Sequence, residues 1–108
     1  MALHTMLFSF SGNSEWKMPV PWAHSGVVSS GDMEVLLRGK ELGGGVEAKV
    51  VTPVKGFDAI WEKVLARFVG ESGVGNLSLE INDNNATPFV VAIRLKQALV
   101  ELGEGGMG

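Results

Sequence analysis

Residues 46–70, VEAKVVTPVKGFDAIWEKVLARFVG, change their apolar period once, and that change decides the fold. Val46, Ala48 and Val50 alternate, which puts them on one face of a strand over Val46–Thr52. Past Pro53 and Gly56 the spacing lengthens. Phe57, Ile60, Trp61, Val64, Leu65 and Phe68 form the apolar stripe of a helix over Phe57–Val69. Gly70 is placed to end that helix in the left-handed conformation. The pattern then returns. Leu77, Leu79 and Ile81 alternate as a strand, and Asn82–Thr87 is a polar turn. Thr87 is a good N-cap and Pro88 suits the first helical position, so a second helix is predicted to run to about Leu102, with Gly103 as its stop. At a constant offset of 77 − 46 = 31, Leu77 matches Val46, Val91 matches Ile60, Ala92 matches Trp61, Leu95 matches Val64 and Leu99 matches Phe68. The match is one of pattern rather than identity, and any two strand–helix units of equal length would share it.

Upstream, Leu3–Phe10 reads as a strand with His4, Met6, Phe8 and Phe10 on one face. Ser11–His24 holds Gly, Asn, Ser and two prolines and reads as a connecting loop, clamped to the core by Trp16 and Trp22. Gly26–Val28 and Met33–Arg38 are strands around the turn Ser29-Ser30-Gly31-Asp32. Gly39–Gly45, GKELGGG, lacks the G-x-G-x-x-G spacing, and no helix follows it directly, so it reads as a flexible hairpin loop rather than a phosphate loop. The sum is an α+β fold: a two-layer sandwich, with a mostly antiparallel four- to five-stranded sheet covered on one face by two helices. Trp61, Val64, Phe68, Leu95 and Leu99 should make most of its core. Residues 1–103 form a single domain, and 104–108, EGGMG, a flexible glycine-rich tail.

Composition narrows the function. The chain of 108 residues carries a net charge of −3, which argues against nucleic acid, because phosphate neutralisation needs clustered Lys and Arg. No apolar run approaches the ~20 residues that span a bilayer. The start, MALHTMLFSF, lacks the basic residues and cleavage site of a secretory signal. No membrane partner and a cytoplasmic location are therefore expected. There is no cysteine, hence no disulfide and no thiolate nucleophile, and two histidines are too few for a metal site.

Catalytic constellations are weak. Ser30, Asp32 and His24 have the composition of a triad, but the G-x-S-x-G elbow is missing. Asp32, Glu34, Asp58, Glu62 and Asp83 are spread along the chain as solvated charges. Asn82-Asp83-Asn84-Asn85 has one acid and no calcium-loop pattern. No catalytic residue is assigned. What remains is the turn. Ser29 and Ser30 offer hydroxyls at a hairpin tip, Gly31 leaves room for another protein's backbone, and Asp32 can bond local N–H groups. Such geometry suits a serine that another enzyme modifies, and equally a turn that serves only itself.

GVVSSGDMEVLL (Gly26–Leu37) and NDNNATPFVVAIRLKQALVELG (Asn82–Gly103) together resemble the acyl carrier protein of malonate decarboxylase, its delta subunit. That family shows a G-S-G-D-[LM]-E-V-L segment and a helix opening A-T-P and continuing R-L-x-Q-A-L; here these are Ser30–Leu36, Ala86-Thr87-Pro88 and Arg94–Leu99. Ser29 stands where the family usually has glycine, as do Asn85 and Phe89 beside A-T-P. The resemblance implies that Ser30 carries phosphoribosyl-dephospho-CoA through a phosphodiester, with Ser29, Gly31 and Asp32 as its supporting turn. It implies a non-catalytic carrier of acetyl and malonyl thioesters during decarboxylation of malonate to acetate and CO2. The implied partners are acyltransferase and decarboxylase subunits and the transferase that attaches the group. A thioester carbonyl takes up the electrons left by departing CO2, which a free carboxylate does poorly. The lack of cysteine also fits, since the reactive thiol would sit on the group. Two alternatives stand beside this: a citrate lyase-type carrier, which uses the same kind of group but fits the SGDMEVL and A-T-P wording less well, and an unmodified interaction subunit.

Overall fold

A computed structural model describes the backbone of residues 3–107 and the side chains of residues 3–100. The elements are β1 (His4–Phe10), β2 (Trp22–Gly26), β3 (Asp32–Gly39), β4 (Val46–Thr52), α1 (Asp58–Ser72), β5 (Leu77–Asn84) and α2 (Pro88–Met107). The five strands make one sheet in the order β1-β4-β5-β3-β2. Pairs β1–β4, β2–β3 and β3–β5 are antiparallel, while β4–β5 is parallel. Both helices pack on the face that carries Met33, Val35 and Leu37 of β3 and Leu77, Leu79 and Ile81 of β5. The architecture is thus the expected α+β sandwich, with one parallel pair in a mostly antiparallel sheet.

That pair explains the repeat. The register joins Val46 to Leu77, Ala48 to Leu79 and Val50 to Ile81, an offset of 77 − 46 = 79 − 48 = 81 − 50 = 31. The offset seen in the sequence is the pairing register, and α1 is the crossover helix that parallel strands require. On the helices the offset is one less. Buried Trp61, Leu65 and Phe68 correspond to buried Val91, Leu95 and Ala98, with 91 − 61 = 95 − 65 = 98 − 68 = 30. From strand start to helix start the second unit is one residue shorter, 88 − 77 = 11 against 58 − 46 = 12, so 88 − 58 is also 30. Ile60, matched in sequence to buried Val91, is 42% exposed for this reason, and Phe57 is 46% exposed.

Several boundaries differ from the sequence-based expectation. β2 begins at Trp22, inside the stretch read as a loop, and ends at Gly26, so Val27 and Val28 belong to the turn. Its buried residues are Ala23 and Ser25, paired with Leu37 and Val35. Small side chains under α2 leave no hydrophobic alternation to read. Trp16 packs against the core as expected, but Trp22 stands exposed on the outer face opposite Arg38. Helix α1 passes through Gly70 and ends at Gly73, φ 68°, whose N–H donates to the Val69 carbonyl. An interior glycine costs ~1 kcal/mol, which buried Phe68 and Val69 beside it outweigh. β5 continues to Asn84 within the stretch read as a turn, and the backbone of α2 is helical past Gly103 to Met107.

The core is fed by the strands as much as by the helices. Trp61, Phe68 and Leu95 are buried as expected, while Val64 and Leu99 are half-buried at its margin. At the end of the sheet where β5 begins, Asn76 fastens the GKELGGG loop. Its Oδ1 accepts from Leu42 N–H (3.2 Å) and Gly44 N–H (2.9 Å), and its Nδ2 donates to the Ser14 and Trp16 carbonyls. That segment is a loop as expected, but Asn76 ties it down and it closes no hairpin, since β5 lies between β3 and β4.

Candidate functional site

The opposite end of the sheet carries the serines. Val27–Gly31 connects β2 to β3, and each of its residues is exposed. The Asp32 N–H donates to the Ser29 carbonyl at 2.9 Å, so Ser30 and Gly31 are the two corners of a four-residue turn. Gly31 has φ 76°. Positive φ at the second corner alone is the type II pattern, and it explains the glycine. The Gly31 N–H donates to the Asn84 carbonyl at 2.8 Å, which pins the turn to the end of β5. A Cβ built on Gly31 would have nothing within 4 Å. The space beside Gly31 is open, and Ser30 next to it is exposed. Ser29 is exposed too, and no positive φ demands glycine there. At Asn85 the backbone does take a left-handed φ of 65°. Glycine adopts that conformation freely and Asn tolerates it best of the rest, which accounts for the substitution seen at this position.

Asp32 opens β3 and is the best-held residue of the site. The Arg94 Nε donates to Asp32 Oδ1 at 2.9 Å and Nη2 to Oδ2 at 2.5 Å, a bidentate pair. Asp32 Oδ1 also accepts from the Met33 N–H at 2.7 Å. The Arg94 hydrogen bonds, and then the Met33 N–H, hold the Asp32 carboxyl below the usual carboxylate range, against a smaller opposing effect of burial. The same pair raises Arg94. Nη1 of Arg94 donates to Gln97 Oε1 at 2.9 Å, and the Ser25 hydroxyl reaches the same oxygen at 3.4 Å. Gly26, φ 87°, completes the arrangement: a Cβ there would strike the Met33 carbonyl and press on Arg94 Cδ at 3.2 Å. The carboxylate beside the serine is therefore neutralised by a helix residue, and its grip is mostly on α2 rather than on local N–H groups.

Arg94, Gln97, Ser25 and Gly26 were not singled out from the sequence for this role. The only signal was that Arg94 and Gln97, three apart, share a helix face within R-L-K-Q-A-L. The considered triad does not assemble. His24 Nε2 lies 2.9 Å from Glu34 Oε2 on the outer face, and Asn82 Nδ2 donates to Glu34 Oε1 at 2.9 Å. His24, with Asn82 next, keeps the Glu34 carboxyl low. Asp83, expected on the surface, is only 7% exposed. Its Oδ2 accepts from the Thr52 hydroxyl at 2.8 Å and its Oδ1 from the Ala86 N–H at 2.9 Å. Among the described residues no three His, Cys, Asp or Glu side chains stand together as a metal set, and no helix is long and apolar enough to cross a membrane.

The profile of the family described as malonate decarboxylase delta subunit (MdcD) matches residues 22–102. The chain is 54% identical to the malonate decarboxylase acyl carrier protein of Malonomonas rubra over 99 residues, covering 92% of this chain and 88% of that one. It is 38% identical to the protein of the same description from Xanthomonas campestris pv. campestris (strain B100), covering 90% and 92%. A chain in the crystal structure of a Pseudomonas malonate decarboxylase hetero-tetramer in complex with malonate superposes with a TM-score of 0.82 at 33% identity, covering 93% of this chain and 99% of that one.

Proposed function

Because this chain belongs to the malonate decarboxylase delta subunit family, we propose that it is the acyl carrier of such a complex and that Ser30 is its attachment residue. The observation that carries this is the turn: Ser30 is an exposed corner, Gly31 beside it leaves open space, and Asp32 is held and neutralised by Arg94. The group proposed for Ser30 is phosphoribosyl-dephospho-CoA joined through a phosphodiester; when bound it supplies a thiol that carries acetyl and malonyl as thioesters. The residues present fit it. A polyanionic donor must approach Ser30, and a lone Asp32 carboxylate would repel it; the Arg94 pair removes most of that field. Ser29 and Gly31 shape the turn, and Ser25, Gly26 and Gln97 brace it from behind. No residue of this chain is proposed to act on malonate. Acyltransferase and decarboxylase subunits would do so in turn, in the cytoplasm, after an attachment transferase has loaded Ser30. Residues 1–103 would form the carrier domain.

Intact mass of the protein from its native cell tests this, with a nucleotide-sized adduct expected. Trypsin releases Met18–Arg38 as one peptide holding both serines, and fragmentation should place the adduct on Ser30. Ser30→Ala should lose loading and malonate decarboxylation while keeping the fold, and Ser29→Ala should still load. An adduct on Ser29, or full activity in Ser30→Ala, would end the assignment.

A further inference from the structure

The two parallel strands end at Thr52 and Asn84, and the chain splays from both into helices. Between those links lies a cavity of ≈ 260 Å³. Its floor is Trp61, Val91 and Asp83, all buried, and its rim is Phe57, Ile60 and Pro88, all exposed. Three oddities of the molecule meet here: two large apolar side chains left in solvent, a buried carboxylate with no part in the turn, and an open apolar hollow.

We propose that this cavity receives the acyl-thioester end of the arm on Ser30, and that it takes acetyl in preference to malonyl. The inference rests on the carrier reading above. Reach is provided by the turn itself. Gly31 donates to the Asn84 carbonyl, and the next residue, Asn85, lines the cavity. By backbone dimensions Ser30 is on the order of 10 Å from the rim, less than a CoA-derived arm spans. Size limits what enters. Pockets for drug-sized ligands are roughly 300–1,000 Å³, so this one holds the tip of an arm and not a nucleotide. Charge sets the preference. Both oxygens of Asp83 already accept hydrogen bonds, and none of the described lining residues is Lys, Arg or His. An acetyl thioester is neutral and can be buried against Trp61 and Val91. A malonyl group would bring a second carboxylate beside Asp83 with no cation to pair it, and an unpaired buried charge is strongly disfavoured. The acetyl form is thereby sheltered, and the malonyl form is left outside for the partner that consumes it.

The test needs no serine modification. The apo protein, with labelled Val and Ile methyl groups, is titrated into the millimolar range typical of a tethered group. The probes are S-acetyl-N-acetylcysteamine, its S-malonyl counterpart and the neutral methyl ester of the latter. The acetyl probe should shift the Ile60, Val64 and Val91 methyl signals saturably. The malonyl probe should leave them in place, and its ester should shift them again. Asp83→Asn should weaken the exclusion of the malonyl probe without removing it, since no cation is gained, and Ala86→Leu should abolish the shifts by filling the hollow. Should Asp83→Asn not fold, the wild-type comparison of acid and ester decides alone. Absence of a saturable acetyl shift, or equal shifts from acid and ester, overturns the proposal. Either result is independent of the mass measurement on Ser30, which bears only on the carrier reading.

Discussion

Asp32 and Arg94 are separated by 62 positions and meet in a two-point contact. The pair sets a pH expectation. The folded-state Asp32 carboxyl titrates below its ordinary value, so its contribution to stability is complete at neutral pH. That contribution fades only as pH falls through the depressed value. Followed by the Gly31 amide shift, the acid transition of the turn should lie below the ordinary Asp value of ~3.9. In Arg94→Ala it should move up toward that value, and loading of Ser30 should slow because the donor then meets an uncompensated carboxylate. An unmoved titration in Arg94→Ala would show that the pair does not govern Asp32. Gly26 is the other decisive residue. Gly26→Ala forces a Cβ against the Met33 carbonyl at φ 87°, which should cost about 1–3 kcal/mol in a denaturant melt. The turn's glycine and serines were legible in the sequence. The partner of Asp32 was not, because an ion pair between strand and helix leaves no local spacing to read.

Among the elements, α2 does most to join core to site. One face buries Val91, Leu95 and Ala98, while Arg94 reaches Asp32 at the turn and Gln97 links Arg94 to Ser25 of β2. Leu95 is 0% exposed. Leu95→Ala should therefore cost ~2–5 kcal/mol, whereas exposed Lys96→Ala should leave the melt unchanged within ~0.5 kcal/mol. A Leu95→Ala midpoint equal to wild type would mean that the buried face is misassigned. Helix α1 shows the limit of periodicity. Its stripe included Phe57 and Ile60, yet both stand at the cavity rim. Apolar spacing locates a face to within about one residue step, roughly 100° of helix. It does not say how far along the helix the neighbouring layer extends.

Across the whole molecule, β5 is the middle strand, with β4 bonded on one side and β3 on the other, while β1 and β2 are edges. Amide hydrogen exchange should accordingly be slowest in Leu79–Ile81 and fastest among the strands in β1 and β2. Uniform protection across all five strands would contradict that hierarchy. Much of the order was written locally. Alternating Val and Leu residues, the Thr87-Pro88 helix start and the exposed SSGD turn each depend on contacts within a few positions, and each was found near its expected place. Even the spacing of 31 between the strand–helix units was present in the sequence, although nothing local said that it was a parallel register. Other features depend on residues brought together from distant stretches. The choice of β4 and β5 as neighbours, the strand formed by the small residues Ala23 and Ser25, the Asp32–Arg94 clamp and the hollow above Asp83 are of this kind. A local pattern records which side of a segment seeks burial. Only the packed sheet decides what that side meets, because strand pairing and charge pairing are settled together with the shape of the layer that covers them.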